Sequence, residues 1–395
     1  MSAGQHLPKQ ALQERATGPL QGVRVVDLSR LVAGNMLTLQ LGDFGADVIK
    51  VESAGAGDTL REWREPHADH PDGYDGWWRT YARNKRSLAL NLRDGQAMHW
   101  LKRLIATAQV LVESFKPGTL ENMGLSPEQL HADNPGLVIV RLSGWGQTGP
   151  YRELPGFGSL IEGFSGYAHK HRSDGGAPQL PNMALADMVT GLTGAFATLT
   201  ALREVEVRGG QGQVIDLSLL EPMLAIMGPD VSNFAATGID PEPGQKIASP
   251  RGSYQCKDGL WVSMSGSTDT MAKRVFDAIG QSALFEDPRF ASNAARLEND
   301  AELDAMVAQF MLQRTQADCL KHFRQHSVTV GPVYAPPQLI QDTHVVQRGV
   351  YVRCEASDGS EATVMHQVTP RLQGTPGSIR RAAPLRGQHT EELLS

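Results

Sequence analysis

The sequence has few cysteines, few aromatic residues and no excess of positive charge. The three cysteines, Cys256, Cys319 and Cys354, lie far apart in the chain. That spacing excludes a disulfide framework and a CxxC zinc site, and it favours a reducing compartment. Aspartate and glutamate number 43 against 37 lysines and arginines, which gives a net charge of −6. A nucleic-acid or membrane-surface protein is therefore not expected, because both classes need basic patches.

A long uninterrupted apolar run is also missing. The first residues show no basic region followed by an apolar stretch, so the sequence predicts no signal peptide. The longest nearly uncharged segment, residues 183–202, contains Asp187 and several glycines and threonines, and it predicts no membrane span. We therefore expect a cytoplasmic protein.

Several catalytic motifs are absent as well. The first predicted turn reads Ser29-Arg-Leu-Val-Ala-Gly34, without the GxGxxG glycines of a nicotinamide-dependent dehydrogenase. The chain has no GxSxG nucleophile elbow, and no cysteine lies in a recognisable catalytic signature. One loop holds five possible metal ligands, but their spacing fits neither HExxH nor an EF-hand, so we interpret it as a polar loop and predict no metal. These five residues are His67, Asp69, His70, Asp72 and Asp75.

Strand and helix patterns alternate along the first half of the chain. Strand patterns that are largely apolar predict a parallel sheet covered on both faces, in an α/β fold of Rossmann-like type. We expect strands at 23–28, 48–51, 87–92, 110–112, 137–143 and 214–217, and helices at 36–44, 94–106 and 188–207. The middle of the chain, residues 226–335, has the pattern of a smaller α+β domain, with strand 260–264 and helices 270–279 and 300–310.

Glycine is concentrated in one segment. Residues 144–176 contain nine of the 41 glycines, where an even distribution would place about three. We expect an irregular segment over 144–181 that lies against a ligand, in conformations that only glycine adopts easily.

Asp187 follows this segment in unusual surroundings. Small and apolar residues flank it, and no lysine or arginine occurs between Arg172 and Arg203. An aspartate at this position is typical of a helix N-cap. The same geometry would also stabilise an ionised carboxylate in a dry pocket, which could act as a nucleophile. Position alone leaves both interpretations open.

Together these segments resemble the family III CoA-transferases, which include formyl-CoA transferase, carnitine CoA-transferase and α-methylacyl-CoA racemase. The resemblance extends over residues 20–394. It is carried by Leu41-Gly-Asp-Phe-Gly-Ala-Asp-Val-Ile-Lys-Val-Glu52, Arg83-Asn-Lys-Arg-Ser-Leu88, Glu113-Ser-Phe-Lys-Pro-Gly118, Ser143-Gly-Trp-Gly-Gln-Thr-Gly-Pro150 and Ala186-Asp-Met-Val-Thr-Gly191. Each is short, but in this order and spacing they are specific.

The resemblance implies a fold in which both chain ends build the large domain. Residues 1–225 and 336–395 would form the Rossmann-like CoA-binding domain, and residues 226–335 the small α+β domain. It also implies an interlocked homodimer, with acyl-CoA and carboxylic acid as substrates. Coenzyme A would be a co-substrate, with no permanently bound cofactor.

The resemblance implies that Asp187 is the nucleophile of a CoA transfer, through mixed anhydrides and an aspartyl-CoA thioester. The CoA-binding positions carried over from the family motifs are Val32, Ala33, Arg83, Lys85, Ser114, Phe115, Lys116, Asn122, Gly144 and Trp145. Two positions depart from the family, since Asn122 and Ser53 stand where relatives have arginine. Phosphate contacts would then shift, to Lys116 or Arg30.

Two further departures from the family restrict the reactions that the resemblance implies. Phe157 replaces the catalytic histidine of the racemase, so racemase or another CoA-ester isomerase is the alternative rather than the main prediction. Ser249-Pro-Arg-Gly-Ser-Tyr254 replaces the glycine run of formyl-CoA transferase, which disfavours oxalate and formate. We predict transfer from a dicarboxylyl-CoA such as succinyl-CoA to a C4–C6 acid. Candidate anchors for a distal carboxylate are Arg61, Arg152 and Arg251. A non-catalytic CoA-binding or assembly protein remains a further possibility.

Overall fold

The computed structural model describes residues 4–12, 18–67, 70–172, 176–240, 244, 246–357, 359–360 and 362–395. The chain forms two compact units. The large unit contains Met1–Pro243 and Val346–Ser395, and the small unit contains Gly244–Val345. The domain boundaries expected from the sequence, at 225/226 and 335/336, stay a prediction.

The large unit is built on a six-stranded sheet, whose strands we number β1 to β6 in chain order. They are Arg24–Leu28, Asp47–Ser53, Lys85–Leu90, Val110–Glu113, Val138–Ser143 and Val214–Ser218. The spatial order is β3-β2-β1-β4-β5-β6, and every neighbouring pair is parallel. This is the strand order of a doubly wound Rossmann-type sheet. The predicted α/β fold with a parallel sheet is therefore confirmed.

Apolar residues lie on both faces of this sheet because successive side chains point to opposite sides of a strand. On one face, Val25 and its counterparts pack with helix α1 (Leu31–Asp43) and helix α3 (Leu185–Arg208). On the other face, Val26 and its counterparts pack with helices Gly95–Ala106 and Pro127–Asp133. Two covered faces explain why strand sequences such as Val-Ile-Val in β5 are apolar without alternation.

Local sequence signals place several helix starts. Asp94 caps Gly95–Ala106 by accepting hydrogen bonds from the backbone N–H groups of residues 96 and 97. Ser126 caps Pro127–Asp133, which has proline at its first position. The segment 144–181 is less irregular than expected, since it contains helix α2 (Gly158–Phe164) and the short helix Tyr167–Lys170.

Helix α3 is the one described helix that is long and apolar enough to cross a membrane by length and composition. Its contacts identify it as a core helix instead. It packs along α1, where an added Cβ on Gly191 would lie 2.6 Å from Met36 Cβ. On Gly194, an added Cβ would lie 2.5 Å from side-chain atoms of both Leu37 and Leu217. Glycines at these positions therefore let α3 approach α1 and β6 closely.

The remaining elements of the large unit surround this core. A three-stranded sheet joins Lys9–Gln10 with Tyr351–Cys354 and Thr363–His366, and Glu65–His67 pairs with His70–Tyr74. The shorter helices are Thr59–Glu62, Gly76–Tyr81, Thr119–Asn122, Leu220–Ile226, Asp230–Thr237 and Thr390–Leu394; helix Thr343–Gln347 spans the boundary between the units.

The small unit has its own sheet and core. Strands Arg251–Gln255, Trp261–Ser265 and Thr329–Val333 form an antiparallel sheet. Its helices are Ser282–Phe285, Asp269–Ala278, Asn293–Glu298, Asp300–Leu312, Gln316–Gln325 and Pro336–Leu339. Residues such as Val262, Phe323 and Cys319 are fully buried in its core.

Candidate active site

The Rossmann-type strand order creates a crevice at the carboxyl ends of β1 and β4, where the direction of winding reverses. A cleft of about 470 Å³ lies at this edge and is lined by residues from several loops and by the start of α3. Its lining includes Arg30, Ala33, Gly34, Thr59, Ser114, Phe115, Lys116, Ser143, Gly144, Arg152, Gly156, Phe157 and Asp187. A neighbouring cleft of about 590 Å³ shares Arg30, Thr59 and Phe115 with it.

Asp187 is the third residue of α3, which begins three residues earlier than predicted. The N-cap position is Ala184, whose own side chain makes no capping hydrogen bond. The interpretation of Asp187 as an ordinary N-cap is therefore wrong. Its carboxylate instead lines the cleft.

Burial and, to a smaller extent, the negative charge of Glu162 raise the pKa of the Asp187 carboxyl from 3.8 to about 6. The backbone N–H groups of Ala33 and Asp187 act in the opposite direction and are included in that value. Desolvation and a like charge both disfavour an ionised carboxylate, and hydrogen-bond donors favour it. A carboxyl group with a raised pKa in a cleft is a typical feature of catalytic sites.

Close backbone approaches account for part of the glycine concentration. An added Cβ on Gly158 would lie 2.3 Å from Asp187 Oδ2. An added Cβ on Gly144 would lie 2.4 Å from the α-carbon of Gly156. No real Cβ can occupy either place, so these glycines allow the loops to close around the carboxylate. Gly175, another member of the predicted glycine group, lies outside the described residues.

The turn that leads from β1 into α1 is held by buried charges. Leu31 has a φ of 60°, which a leucine rarely adopts. Its backbone N–H donates to Asp58 Oδ1 at 3.0 Å. Asp58 in turn pairs with Lys50 at 2.9 Å, and Lys50 lies 3.3 Å from Asp27. The network fixes the strained start of α1 beside the cleft.

Two cations from the segment Arg83-Asn-Lys-Arg-Ser-Leu88, Arg83 and Lys85, lie elsewhere. Both side chains are fully buried. Arg83 makes a bidentate pair with Asp43, and Lys85 Nζ lies 2.6 Å from Asn35 Oδ1. Neither residue is among those that line the two clefts. That these two residues bind CoA stays a prediction.

Other predicted positions divide into two groups. Ala33, Ser114, Phe115, Lys116 and Gly144 line the cleft with Asp187, as does Arg30. The lining does not include Val32, Asn122 or Trp145. Val32 is buried in a side cluster, Asn122 is exposed at the end of a short helix, and Trp145 donates to Pro155 O at 3.0 Å.

Of the three candidate anchors for a distal carboxylate, one lies in the cleft. Arg152 lines it and is 54% exposed, beside Glu153. Arg61 is committed to a bidentate pair with Glu52, at 2.7 and 2.8 Å. Arg251 belongs to the small unit.

The prediction that the protein binds no metal rests on the sequence alone. Among the described residues, no group of three or more His, Cys, Asp or Glu side chains is arranged to hold a metal ion. Asp69 of the polar loop lies outside those residues.

Comparison with known proteins decides the family. The model of "CoA-transferase family III" matches residues 20–390. The chain belongs to CoA-transferase family III. This match confirms the resemblance found in the sequence, and the CoA-transferases that are 30–37% identical to the chain over most of its length identify it as a CoA-transferase.

Relatives within the family are similar over almost their whole lengths. Succinyl-CoA--D-citramalate CoA-transferase of Chloroflexus aurantiacus is 37% identical, over 97% of this chain and 94% of the relative. Mouse succinyl-CoA:glutarate CoA-transferase is 30% identical, over 95% and 86%. Among solved structures, a CaiB/BaiF family protein of Brucella suis has a TM-score of 0.83 and 30% identity, with 96% of this chain and 99% of that chain covered.

Sequence reasoning missed one charged residue beside this candidate site. Glu162, on α2, is 3% exposed and accepts a hydrogen bond from the backbone N–H of Ala186 at 3.1 Å. The signal that could have located it is an acidic residue in an otherwise apolar stretch, Gly158-Ser-Leu-Ile-Glu-Gly-Phe164. The helix that carries Glu162 was not predicted, because two of its seven residues are glycines, which have low helix propensity.

Proposed function

We propose that the protein transfers CoA from succinyl-CoA, or a similar dicarboxylyl-CoA, to a carboxylic acid acceptor through an aspartyl-CoA thioester on Asp187. The observation that carries the proposal is the Asp187 carboxylate, held in a cleft at the crevice of the sheet with its pKa raised to about 6. At neutral pH this carboxylate is ionised, yet it is more basic and therefore more nucleophilic than an exposed one.

The chemistry proceeds by exchange of acyl and CoA groups on one carboxylate. Asp187 attacks the thioester carbonyl of the donor, the C–S bond breaks, and CoA leaves as the thiolate. The thiolate attacks the aspartyl carbonyl of the mixed anhydride, which releases the donor acid and leaves an aspartyl-CoA thioester. The acceptor carboxylate attacks that thioester, and CoA thiolate then attacks the acceptor carbonyl of the second anhydride. Asp187 is regenerated as the carboxylate, and no oxidant, reductant or metal is needed.

The cleft residues supply the binding groups for this cycle. Arg30 and Lys116 provide positive charge for the CoA phosphates. Ala33, Ser114, Phe115 and Gly144 line the same cleft. The backbone N–H of Ala33 already interacts with Asp187, so it is placed to stabilise an oxyanion at that carboxyl. CoA is a co-substrate in this proposal and no cofactor is permanently bound.

A dicarboxylate fits the charge of the cleft. Arg152 lines the cleft that holds Asp187 and could pair with the distal carboxylate of succinate or of the acceptor. The family relatives named for citramalate, malate and glutarate use acids of this type with succinyl-CoA.

The racemase alternative is less well supported by the site. Proton removal and return at one carbon needs two groups that exchange protons. Phe157 lines the cleft where the racemase family members have a histidine, and a phenyl ring cannot transfer a proton. The buried Glu162 is absent from the residues that line the cleft.

We further propose a cytoplasmic homodimer. Leu192, Phe196 and Leu199 lie at i, i+4 and i+7 on α3, which places them on one face of the helix. All three are exposed large apolar side chains. A second copy of the chain would remove this face from water. The proposal includes that the two copies are interlocked.

The proposal is tested by incubation with succinyl-CoA and a panel of C4–C6 carboxylic acids, with CoA esters measured by mass spectrometry. We expect a new CoA ester and free succinate in equal amounts, with Asp187→Asn as the inactive control and Asp133→Asn, on the opposite face of the sheet, as the active one. Formation of no new ester with any acid would contradict the transferase proposal. Deuterium uptake at the α-carbon in D2O, without acid exchange, would favour the racemase.

A further inference from the structure

Glu162 is a buried carboxylate that the transfer chemistry does not use directly. It lies on α2 and is 3% exposed. Burial of a charged group is costly unless hydrogen bonds or partners compensate it. A carboxylate kept at such a place, one helix away from the nucleophile, therefore calls for an explanation.

Helix α2 contacts the nucleophile segment at two points. Gly158, at the start of α2, lies so close to Asp187 that an added Cβ would be 2.3 Å from Oδ2. Glu162 follows at i+4, on the same face of α2. Its Oε1 accepts the hydrogen bond from Ala186 N at 3.1 Å, and Ala186 immediately precedes Asp187. One face of α2 thus holds both the carboxylate and the backbone that carries it.

The charges around Asp187 come from different elements. Glu162 faces it from α2 and raises its pKa, in addition to the effect of burial. The N–H groups of Ala33, on α1, and of Asp187 itself lower that pKa. The cations that line the cleft are Arg30, Lys116 and Arg152. None of these three is among the groups that shift the pKa of Asp187.

We propose that Glu162 is a positioning residue for Asp187. Glu162 holds the first turn of α3 in place, and its negative charge repels the negative charge of the nucleophile. This inference rests on the CoA-transfer function proposed above. When Asp187 attacks the thioester, the C–S bond breaks and the negative charge moves from the aspartate to the departing thiolate. Acylation therefore separates two neighbouring like charges, and the repulsion present in the free enzyme favours the step.

The test compares the pH profile of kcat/KM for the wild type, Glu162→Gln and Glu162→Asp in the succinyl-CoA transfer assay. In the wild type we expect activity to fall as the pH drops through about 6, because Asp187 must be ionised. Glu162→Gln keeps an oxygen that can accept from Ala186 N but removes the charge. We expect its midpoint to fall by about one pH unit and its plateau rate by about tenfold.

Glu162→Asp keeps the charge with a shorter side chain. We expect its midpoint to stay near that of the wild type while its rate falls, because the hydrogen bond to Ala186 is lost. This variant also keeps the test decisive if Glu162→Gln does not fold. Glu206→Gln makes the same substitution as Glu162→Gln at an exposed site on α3 and is the matched control.

The outcomes separate this inference from the proposed function. Unchanged midpoint and rate in Glu162→Gln, in an enzyme that does transfer CoA, would overturn the role of Glu162 alone. So would an equal downward shift of the midpoint in Glu162→Asp, since that variant retains the charge. A wild-type protein without CoA transfer would instead contradict the function.

Discussion

At the scale of single residues, the site depends on glycines, which leave space, as well as on its functional side chains. Asp187 reaches the cleft because Gly158 leaves space beside its Oδ2. The sequence made Asp187 a candidate because small, uncharged residues surround it, and the family resemblance implied that it is the nucleophile. It could not show that Arg83 and Lys85 are buried, because their partners Asp43 and Asn35 come from a different segment of the chain.

Gly158→Ala tests this arrangement. The new Cβ would lie 2.3 Å from Asp187 Oδ2, so the carboxylate or α2 must move. A displacement of the nucleophile by about 1 Å costs about 10²-fold in kcat. The matched control is Gly163→Ala on the same helix, where a Cβ meets nothing within 4 Å. There we expect unchanged kcat and a gain in unfolding free energy of about 1 kcal/mol. Equal kcat in the two variants would contradict the account.

At the scale of elements, regular hydrophobic patterns predicted all six strands of the large sheet, with each end within two residues of its observed position. The hydrophobic period did not predict the elements whose position depends on packing or on contacts between distant parts of the chain. Helix α2 was missed because its glycines have poor helix propensity and its stability comes from packing. The start of α1 at Leu31, rather than at residue 36, depends on Asp58, which is distant in sequence and not visible in the local pattern.

Asp58→Asn tests the network that fixes the start of α1. The substitution leaves Lys50 buried with one carboxylate fewer, so we expect a loss of about 3–5 kcal/mol in unfolding free energy at pH 7. Burial opposes ionisation, but Lys50 and the surrounding hydrogen bonds hold the pKa of Asp58 at about 2.

That lowered pKa gives the prediction a pH dependence. The stabilisation by ionised Asp58 is complete above its ordinary pKa of 3.8 and is lost as the pH falls through about 2. The difference between wild type and variant should therefore shrink from pH 5 to pH 2, as measured by chemical denaturation. Asp277→Asn, which removes an exposed i,i+4 pair with Lys273, should cost less than about 1 kcal/mol. A pH-independent difference at Asp58 would contradict the assignment.

At the scale of the whole molecule, the parallel sheet places chain segments far apart in sequence at one edge. Ser114 follows β4, Gly144 follows β5 and Asp187 lies in the first turn of α3, yet all three line one cleft. The sequence alone predicted the class of fold from the alternation of elements. The position of each side chain in the cleft could not be predicted, because it depends on how α2 and α3 pack against the sheet.

Phe196→Glu tests the proposed dimer. Phe196 is 71% exposed on α3, and a charge there would oppose burial against a second copy. By light scattering after gel filtration, we expect the wild type at twice 42.8 kDa and the variant at 42.8 kDa. Glu206→Gln should behave as the wild type. A monomeric wild type would refute the homodimer.

The central claim is that CoA transfer passes through a covalent intermediate on Asp187, and trapping that intermediate is the most direct test. Hydroxylamine added during turnover with succinyl-CoA should convert Asp187 to its hydroxamate. Trypsin should release residues 173–203 as one peptide, because no lysine or arginine lies between Arg172 and Arg203. Fragmentation of that peptide should place the modification on Asp187, and omission of succinyl-CoA should abolish it. Modification at another residue, or CoA transfer without any trapped adduct, would contradict the account.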